Sequence, residues 1–190
     1  MRRIRYQVAM SLDGFIAGPA GEYDWIVPDE DIDFGALYAQ FDTFLMGRKT
    51  YQELKDSFLK SEVFEDKQIL VFSDSLTAGD HPEVRLVGSA AVDVTIAELR
   101  SQPGKDIWLY GGGELFRSLL ERGHVDTVEP AVIPVLLGQG RRFLPETGSL
   151  TGLELTGHAL YPKSGTMILE YRVAGAVRSE VEFDQSHLVD

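Results

Sequence analysis

The sequence predicts an α/β protein in which helices cover both faces of a central, mainly parallel sheet. Three observations favour this fold: short apolar, β-prone runs recur along the chain, runs with helical spacing lie between them, and a hairpin pattern closes it. Strands that are buried on both faces are almost continuously apolar, and the runs around Phe44 and Ile107 have this character. We therefore expect a mostly parallel sheet with an antiparallel hairpin at its end.

The strands are predicted where β-branched and aromatic residues cluster between turn signals. In chain order the predicted strands are Ile4–Ser11, Thr43–Met46, Gln68–Phe72, Val84–Val87, Ile107–Tyr110 and Val125–Pro134, then the hairpin of Leu153–Leu160 and Thr166–Val173. Helices are predicted where apolar residues recur every three or four positions, over Phe34–Phe41, Ala91–Arg100 and Glu114–Arg122. Pro130 cannot donate to a central ladder, which predicts a bulge or an edge position for its strand.

Length and composition indicate a one-domain protein and argue against several classes of partner, namely nucleic acids, metals and membranes. The chain of 190 residues is expected to form one domain over residues 1–175, with a polar, acidic tail over 176–190. Its formal net charge of −12 repels phosphate backbones, so we expect no nucleic-acid partner. It has no cysteine, and its four histidines lack metal-ligand spacing, so we predict no metal site. We find no transmembrane-length run and no signal-peptide core, which predicts no membrane partner and a cytoplasmic location.

Three consecutive glycines, Gly111 to Gly113, separate a predicted strand from a predicted helix. Such a turn removes side chains where backbone amides and a helix N-terminus can approach an anion, for example the pyrophosphate of a dinucleotide. A glycine run is also a common tight turn, so this motif alone leaves both interpretations open.

Two further predicted strands end in residues that can bind an anion. One runs into Gly47, with Arg48, Lys49 and Thr50 after it, and the other runs into Ser73. The Gly47 turn alone is equally typical of a capped helix, and the Ser73 turn alone is more typical of an Asx or serine turn. In open α/β sheets, however, ligands bind outside the carboxyl ends of the strands, so the three turns together predict a nucleotide site.

Four motifs together resemble the dihydrofolate reductase-like superfamily, in the branch of the reductase domain of the riboflavin-biosynthesis bifunctional deaminase-reductase. They are VAMSLDGFIA at 8–17, MGRKTY at 46–51, YGGG at 110–113, and VD at 125–126 with IPVLLGQG at 133–140. The resemblance spans residues 4–173. It implies a three-layer α/β/α fold, NADPH as hydride donor with NADH less favoured, and a cis peptide in the Gly-Gly pair. Relatives often dimerise near Val125–Gly140, so it also implies a homodimer.

The resemblance also implies which residues hold the cofactor. It places Ala9 and Ile16 against the nicotinamide, and Ser73 near the 2′-phosphate. The phosphates and the adenosine ribose are expected to lie near Gly47, Arg48, Lys49 and Thr50. The pyrophosphate is expected to lie along Gly111, Gly112, Gly113, Glu114 and Leu115. Asp74 stands where relatives often carry a basic residue. Because a carboxylate repels a 2′-phosphate, the preference for NADPH is expected to depend mainly on Arg48.

The substrate side is predicted from an acidic run after Trp25. Pro28 can open a helix that continues into Phe34–Phe41, and at about 100° per residue this helix places Glu30 within its apolar stripe. Acids in a first turn also favour the helix dipole. Dihydrofolate reductases carry one pterin-binding acid shortly after a Trp-x-x-Pro, and Glu30 matches that position. The candidate catalytic residues are Glu30 and its neighbour Asp31, and the candidate substrate contacts are Trp25, Asp33 and Phe34.

The expected substrate differs from that of the riboflavin-pathway reductases. Those enzymes place arginines after the early Trp to hold a ribose phosphate, whereas residues 10–46 contain no Arg or Lys. The resemblance therefore implies an NADPH-dependent oxidoreductase, similar to 5-amino-6-(5-phosphoribosylamino)uracil reductase, for a neutral or amine-bearing pyrimidine- or pterin-like heterocycle. Two alternatives stay open: a dihydrofolate reductase anchored by Glu30, and a non-catalytic module that binds a nucleotide or a flavin.

Overall fold

The computed structural model describes residues 1–56, 58–148 and 150–176. Within them the strands are β1 (Ile4–Ser11), β2 (Phe15–Ala17), β3 (Phe41–Gly47), β4 (Gln68–Phe72), β5 (Arg85–Val87), β6 (Asp106–Gly111), β7 (Thr127–Ile133), β8 (Arg141–Arg142), β9 (Thr151–Tyr161) and β10 (Thr166–Ala176). The α-helices are α1 (Phe34–Tyr38), α2 (Arg48–Leu54), α3 (Val92–Ser101) and α4 (Gly113–Glu121). Of the predicted tail over 176–190, residues 177–190 lie outside the described residues, and Ala176 ends β10.

Eight strands form one sheet in the order β5-β4-β3-β6-β1-β7-β10-β9. The strands from β5 to β7 run parallel, while β10 pairs antiparallel with β7 and with β9. A separate two-stranded pair joins β2 to β8. The predicted α/β fold with a mostly parallel, mixed sheet and a closing hairpin is therefore confirmed. No helix among the described residues is long and apolar enough to cross a membrane.

The sheet buries a separate apolar cluster on each of its two faces. On one face Tyr6 of β1 stacks on Phe116 of α4, with ring centroids 3.8 Å apart. On the other face Trp108 of β6 packs against Phe44 of β3 at 5.5 Å and against Tyr38 of α1 at 5.0 Å. Burial of these large side chains from water is the main stabilising contribution that the sheet makes.

The first helix is shorter than predicted and begins later. The carboxylate of Asp33 accepts a hydrogen bond from the backbone N–H of Ala36 at 2.8 Å, which caps the helix so that it begins at Phe34. Residues 28–33 therefore form no helix, and the helix ends at Tyr38 because Phe41 already begins β3. The expected helix from Pro28 to Phe41 is wrong at both ends.

Pro130 lies in an interior strand, between β1 and β10. The register of β7 with β10 is the same on either side of it, as Ala131 pairs with Ile168 and Val128 with Tyr171. Only the pairs that residues 129 and 130 would form with β10 are missing from this ladder, because proline has no N–H to donate. The predicted bulge or edge position of this strand is therefore wrong, since the sheet accepts the proline as a local gap.

Candidate functional site

The glycine turns after β3 and β6 lie side by side, because these two strands are neighbours in the sheet. A Cβ atom on Gly47 would stand 3.7 Å from the backbone nitrogen of Gly112, and one on Gly112 would stand 3.6 Å from Thr50 Oγ1. The Gly111-Gly112 peptide is cis, as the resemblance implied. The two turns thus form one surface at the carboxyl edge of the sheet.

Two helices begin at this edge, α2 at Arg48 and α4 at Gly113, and neither has a side-chain cap. Their first-turn N–H groups carry the positive end of the helix dipole. Gly113 is required for close packing: a Cβ there would lie 2.5 Å from the carbonyl oxygen of Arg142 and 3.0 Å from that of Phe143. The start of α4 can therefore lie against the segment after β8 only because residue 113 has no side chain.

A cavity of about 940 Å³ begins at these turns and extends along β1 towards α1 and the β9–β10 hairpin. Ten of the twelve predicted cofactor residues line it, namely Ala9, Ile16, Gly47, Arg48, Lys49, Thr50, Gly112, Gly113, Glu114 and Leu115. We call the part bounded by α2, β8 and the glycine turns the outer half, and the part bounded by α1, β7 and β10 the inner half. That these ten residues bind a cofactor stays a prediction.

The other two predicted cofactor residues, Gly111 and Ser73, are not on the cavity wall. The Ser73 hydroxyl instead accepts hydrogen bonds from the backbone N–H groups of Ser75 and Leu76 at 3.1 and 3.2 Å, so it stabilises its own turn. The Asp74 carboxylate accepts from the backbone N–H of Ser89 at 2.7 Å. Its charge is therefore already used to hold the start of the segment that leads into α3.

The acidic run after Trp25 presents a different residue to the cavity from the one predicted. Asp29 is 4% exposed and lines the inner half, whereas Glu30 is exposed and does not. The Asp29 carboxylate accepts backbone hydrogen bonds from Asp31 at 3.0 Å and from Ser164 at 3.1 Å. Hydrogen bonds from Ser164 lower the pKa of Asp29, so it is ionised at neutral pH. The helical projection that favoured Glu30 is wrong, because residues 28–33 are not helical.

The remaining predicted substrate-side residues mostly have structural contacts. Asp31 is exposed and pairs with Lys163 at 2.9 Å, and Asp33 caps α1. The Trp25 indole N–H donates to the carbonyl of Glu22 at 3.1 Å, and neither Trp25 nor Asp33 reaches the cavity. Phe34 alone of the three predicted substrate contacts lines the cavity. Asp29 and Asp31 together fasten the acidic loop to the hairpin that forms the opposite wall.

Sequence reasoning missed a buried acid on the cavity wall. Glu129 of β7 is 3% exposed, and Arg5 of β1 donates to its two carboxylate oxygens at 2.8 and 2.7 Å. The Thr127 hydroxyl also donates to it at 2.6 Å. A carboxylate inside an apolar strand was the available signal, but a partner 124 residues away is visible only in the folded sheet.

Two tyrosines complete the inner half. Tyr110, the last residue before the glycine triplet, forms a side-chain hydrogen bond with Tyr38 of α1. Burial raises the pKa of Tyr110 well above its ordinary value and also raises that of Tyr38. Both phenols are therefore neutral at physiological pH and available as hydrogen-bond donors or acceptors.

The model of the RibD C-terminal domain matches residues 2–165. The chain belongs to the RibD C-terminal domain family. Over 184 residues, covering 92% of this chain and 96% of the relative, it is 31% identical to the uncharacterized protein YyaP of Bacillus subtilis (strain 168). All four motifs found in the sequence lie within the matched residues.

Solved structures share this fold. The putative riboflavin biosynthesis protein of Shewanella sp. PV-4 is 26% identical, with a TM-score of 0.75 over 90% of this chain and 98% of that one. The dihydrofolate reductase of Enterococcus faecalis, solved with NADP(H), is 18% identical, with a TM-score of 0.63 over 90% and 96% of the two chains. The dihydrofolate reductase-like fold that the motifs implied is therefore confirmed.

Proposed function

We propose that this member of the RibD C-terminal domain family is an NADPH-dependent oxidoreductase that reduces a C=O or C=N bond in a small pyrimidine- or pterin-like heterocycle. One observation carries the proposal: a continuous cavity has two adjoining glycine turns at its outer end and an aromatic, acidic pocket at its inner end. A dinucleotide cofactor and a small planar substrate require these two environments next to each other.

The outer half is suited to the cofactor. Gly47 and Gly112 leave room for a pyrophosphate where side chains would otherwise stand, and the start of α4 supplies N–H groups. All four basic residues that line the cavity lie at this end, two in α2 and two in β8: Arg48, Lys49, Arg141 and Arg142. NADPH, when bound, supplies the hydride from its nicotinamide ring, which we place near Ala9 and Ile16.

The inner half is suited to a substrate without a phosphate. Its ionisable wall residues include the carboxylates Asp29 and Glu129, and the part of the cavity wall described between α1 and β10 includes no Lys or Arg. A phosphate there would meet the Asp29 carboxylate and no Lys or Arg of the wall, whereas ring N–H and amino groups would find acceptors. The proposed substrate is therefore a neutral or amine-bearing ring rather than a phosphoribosylated one.

Two measurements test the proposal. At 100 times its dissociation constant NADPH should stabilise the protein by about 2.7 kcal/mol, which raises Tm by roughly 5–10 °C in a chain of this size. Oxidation of NADPH at 340 nm should then require a pteridine or pyrimidine from a test panel. If no nicotinamide nucleotide raises Tm, the cofactor assignment is wrong. If NADPH binds but no heterocycle is reduced, the non-catalytic module is favoured instead.

A further inference from the structure

Three polar residues form one row across the floor of the inner half. Gln7 of β1 is paired with Glu129 of β7. On its other side β1 pairs with β6 at Arg5 and Trp108, so that two residues further along Tyr110 comes beside Gln7. Side chains alternate between the faces of a strand, which places the row Glu129, Gln7 and Tyr110 on one face. All three residues line the cavity.

Two members of this row already have side-chain partners. Glu129 is held by Arg5 and Thr127, and Tyr110 is hydrogen-bonded to Tyr38. The central member differs. The Oε1 atom of Gln7 is buried and has no hydrogen-bond partner among the residues that the structure describes. Its backbone carbonyl is used separately, accepting from the Trp108 indole at 2.8 Å.

A buried acceptor without a partner destabilises a fold, and because Gln7 lines the cavity, a ligand towards which its amide turns would satisfy this acceptor. The next row towards the carboxyl edge pairs Ala9 with Ala131. These small side chains leave space for a flat ring directly beyond Gln7. Rotation about the Cγ–Cδ bond turns the Gln7 amide towards such a ring without movement of the backbone.

We propose that Gln7 determines substrate specificity by pairing its carboxamide with a lactam edge of the heterocycle. Oε1 accepts the ring N–H, and Nε2 donates to the adjacent ring carbonyl, so each group offers one donor and one acceptor. A site built in this way rejects analogues that lack the N–H, because its own polar groups then stay unpaired. This inference rests on the proposed function, since it places a heterocycle in the inner half.

The probes are pteridine-2,4-dione (lumazine) and its 1,3-dimethyl derivative, which has the same ring but no lactam N–H. Their binding to the full chain is measured by fluorescence titration, both with and without saturating NADP⁺. We expect the wild-type protein to bind lumazine at least about tenfold more tightly than the dimethyl derivative.

The variants are Gln7→Leu and Gln7→Met, and the Met side chain is unbranched and close to Gln in length. The control is Gln102→Leu in the exposed loop after α3. Both Gln7 variants should bind lumazine about tenfold more weakly than the wild type does. Their affinity for the dimethyl derivative should stay within about twofold of the wild-type value. Without ligand they should also melt about 2 °C or more higher, because a buried unpaired acceptor has been removed. The control Gln102→Leu should change neither the affinity for the two probes nor the Tm.

Wild-type protein that binds both probes equally would overturn the proposal, and so would Gln7 variants that keep the preference for lumazine. Equal loss of both probes together with a lower Tm would assign Gln7 a purely structural role. Failure of the proposed function has a different signature, the absence of any Tm shift with NADPH in the same samples. An NADPH shift without selective lumazine binding refutes the role of Gln7 and leaves the reductase assignment intact.

Discussion

Arg5 and Glu129 form a two-point ion pair at the cavity floor, with hydrogen bonds of 2.8 and 2.7 Å and exposed fractions of 7% and 3%. The pair joins β1 to β7, the two strands that supply Gln7 and Ala131 to the cavity. Charges so deeply buried are tolerated only when they are paired. The ion pair therefore links the side chains of the two strands that form the floor on which a ligand would lie.

Removal of one partner of this pair should be far more damaging than removal of both. We expect Glu129→Leu to lower the free energy of unfolding by about 3–5 kcal/mol, because Arg5 stays buried but loses its two-point partner and keeps only longer-range contacts with acids such as Asp106, at 3.6 Å. The double variant Arg5→Met/Glu129→Leu should recover most of this loss. Urea denaturation of the wild type, Glu129→Leu and the double variant measures both values. A double variant no more stable than Glu129→Leu would contradict this account.

Asp13 joins the turn after β1 to the loop after β7, because its carboxylate accepts from the backbone N–H groups of Leu137 at 3.1 Å and Gly138 at 2.7 Å. A hydrogen bond from Ser11 and these backbone bonds lower the pKa of Asp13 to about 2. A lowered pKa adds stability that is complete above the unfolded value near 4 and is lost as pH falls towards 2.

The variant Asp13→Asn should therefore melt below wild type at pH 6, and the difference should shrink as the pH falls from about 4 to about 2. Thermal denaturation across this range checks the prediction. Asp24→Asn, a change of an exposed acid in the neighbouring loop, is the control. A Tm difference that stays constant down to pH 2 would show that the Asp13 carboxylate does not hold these loops.

Much of the fold could be predicted from the sequence, because the apolar runs are long and distinct. Strands β1 and β4 have the predicted bounds, and the other predicted strands differ by a few residues at their ends. The main failure, at the first helix, has a local cause. One hydrogen bond, from the Ala36 backbone N–H to the Asp33 carboxylate, decided where the helix begins, and hydrophobic periodicity does not report such a bond.

The outer half of the site was more predictable than the inner half. Glycines at strand ends are a local signal, and the sheet order then brings Gly47 and Gly112 together. The inner half depends on pairings between distant strands, such as Gln7 beside Glu129. No sequence period encodes which strand lies next to which, so these residues could be found only from the folded sheet.

Gly113 should tolerate no side chain. In Gly113→Ala the new Cβ would lie 2.5 Å from the carbonyl oxygen of Arg142, so the backbone must shift, at a cost of about 1–3 kcal/mol. Because this shift moves the start of α4, affinity for NADPH should fall as well. The control Gly79→Ala adds a Cβ with no neighbour within 4 Å. Denaturation and NADPH titration of both variants should show losses in Gly113→Ala alone.

Asp29 and Glu30 are adjacent acids with opposite surroundings, so their substitutions should have opposite outcomes. Asp29→Asn weakens the contacts with the hairpin at Ser164 and removes a charge from the inner half. It should lower both Tm and lumazine affinity. Glu30→Gln changes an exposed residue off the cavity wall and should alter neither. Loss of lumazine or methotrexate binding in Glu30→Gln with intact binding in Asp29→Asn would restore Glu30 as the ligand-facing acid.

The preference for NADPH over NADH should depend on Arg48 and not on Asp74. Arg48 is exposed on the cavity wall and can donate charge-assisted hydrogen bonds to a 2′-phosphate, whereas the Asp74 carboxylate is already bonded to the backbone of Ser89. Arg48→Gln should weaken NADPH binding about tenfold and leave NADH within about twofold, and Asp74→Asn should change neither affinity appreciably. Titration of each cofactor by nicotinamide fluorescence gives the affinity of each variant for NADPH and for NADH relative to wild type.

A marked gain in NADPH affinity in Asp74→Asn would show that this carboxylate faces the phosphate after all. Equal losses of affinity for both cofactors in Arg48→Gln would assign Arg48 to the pyrophosphate instead.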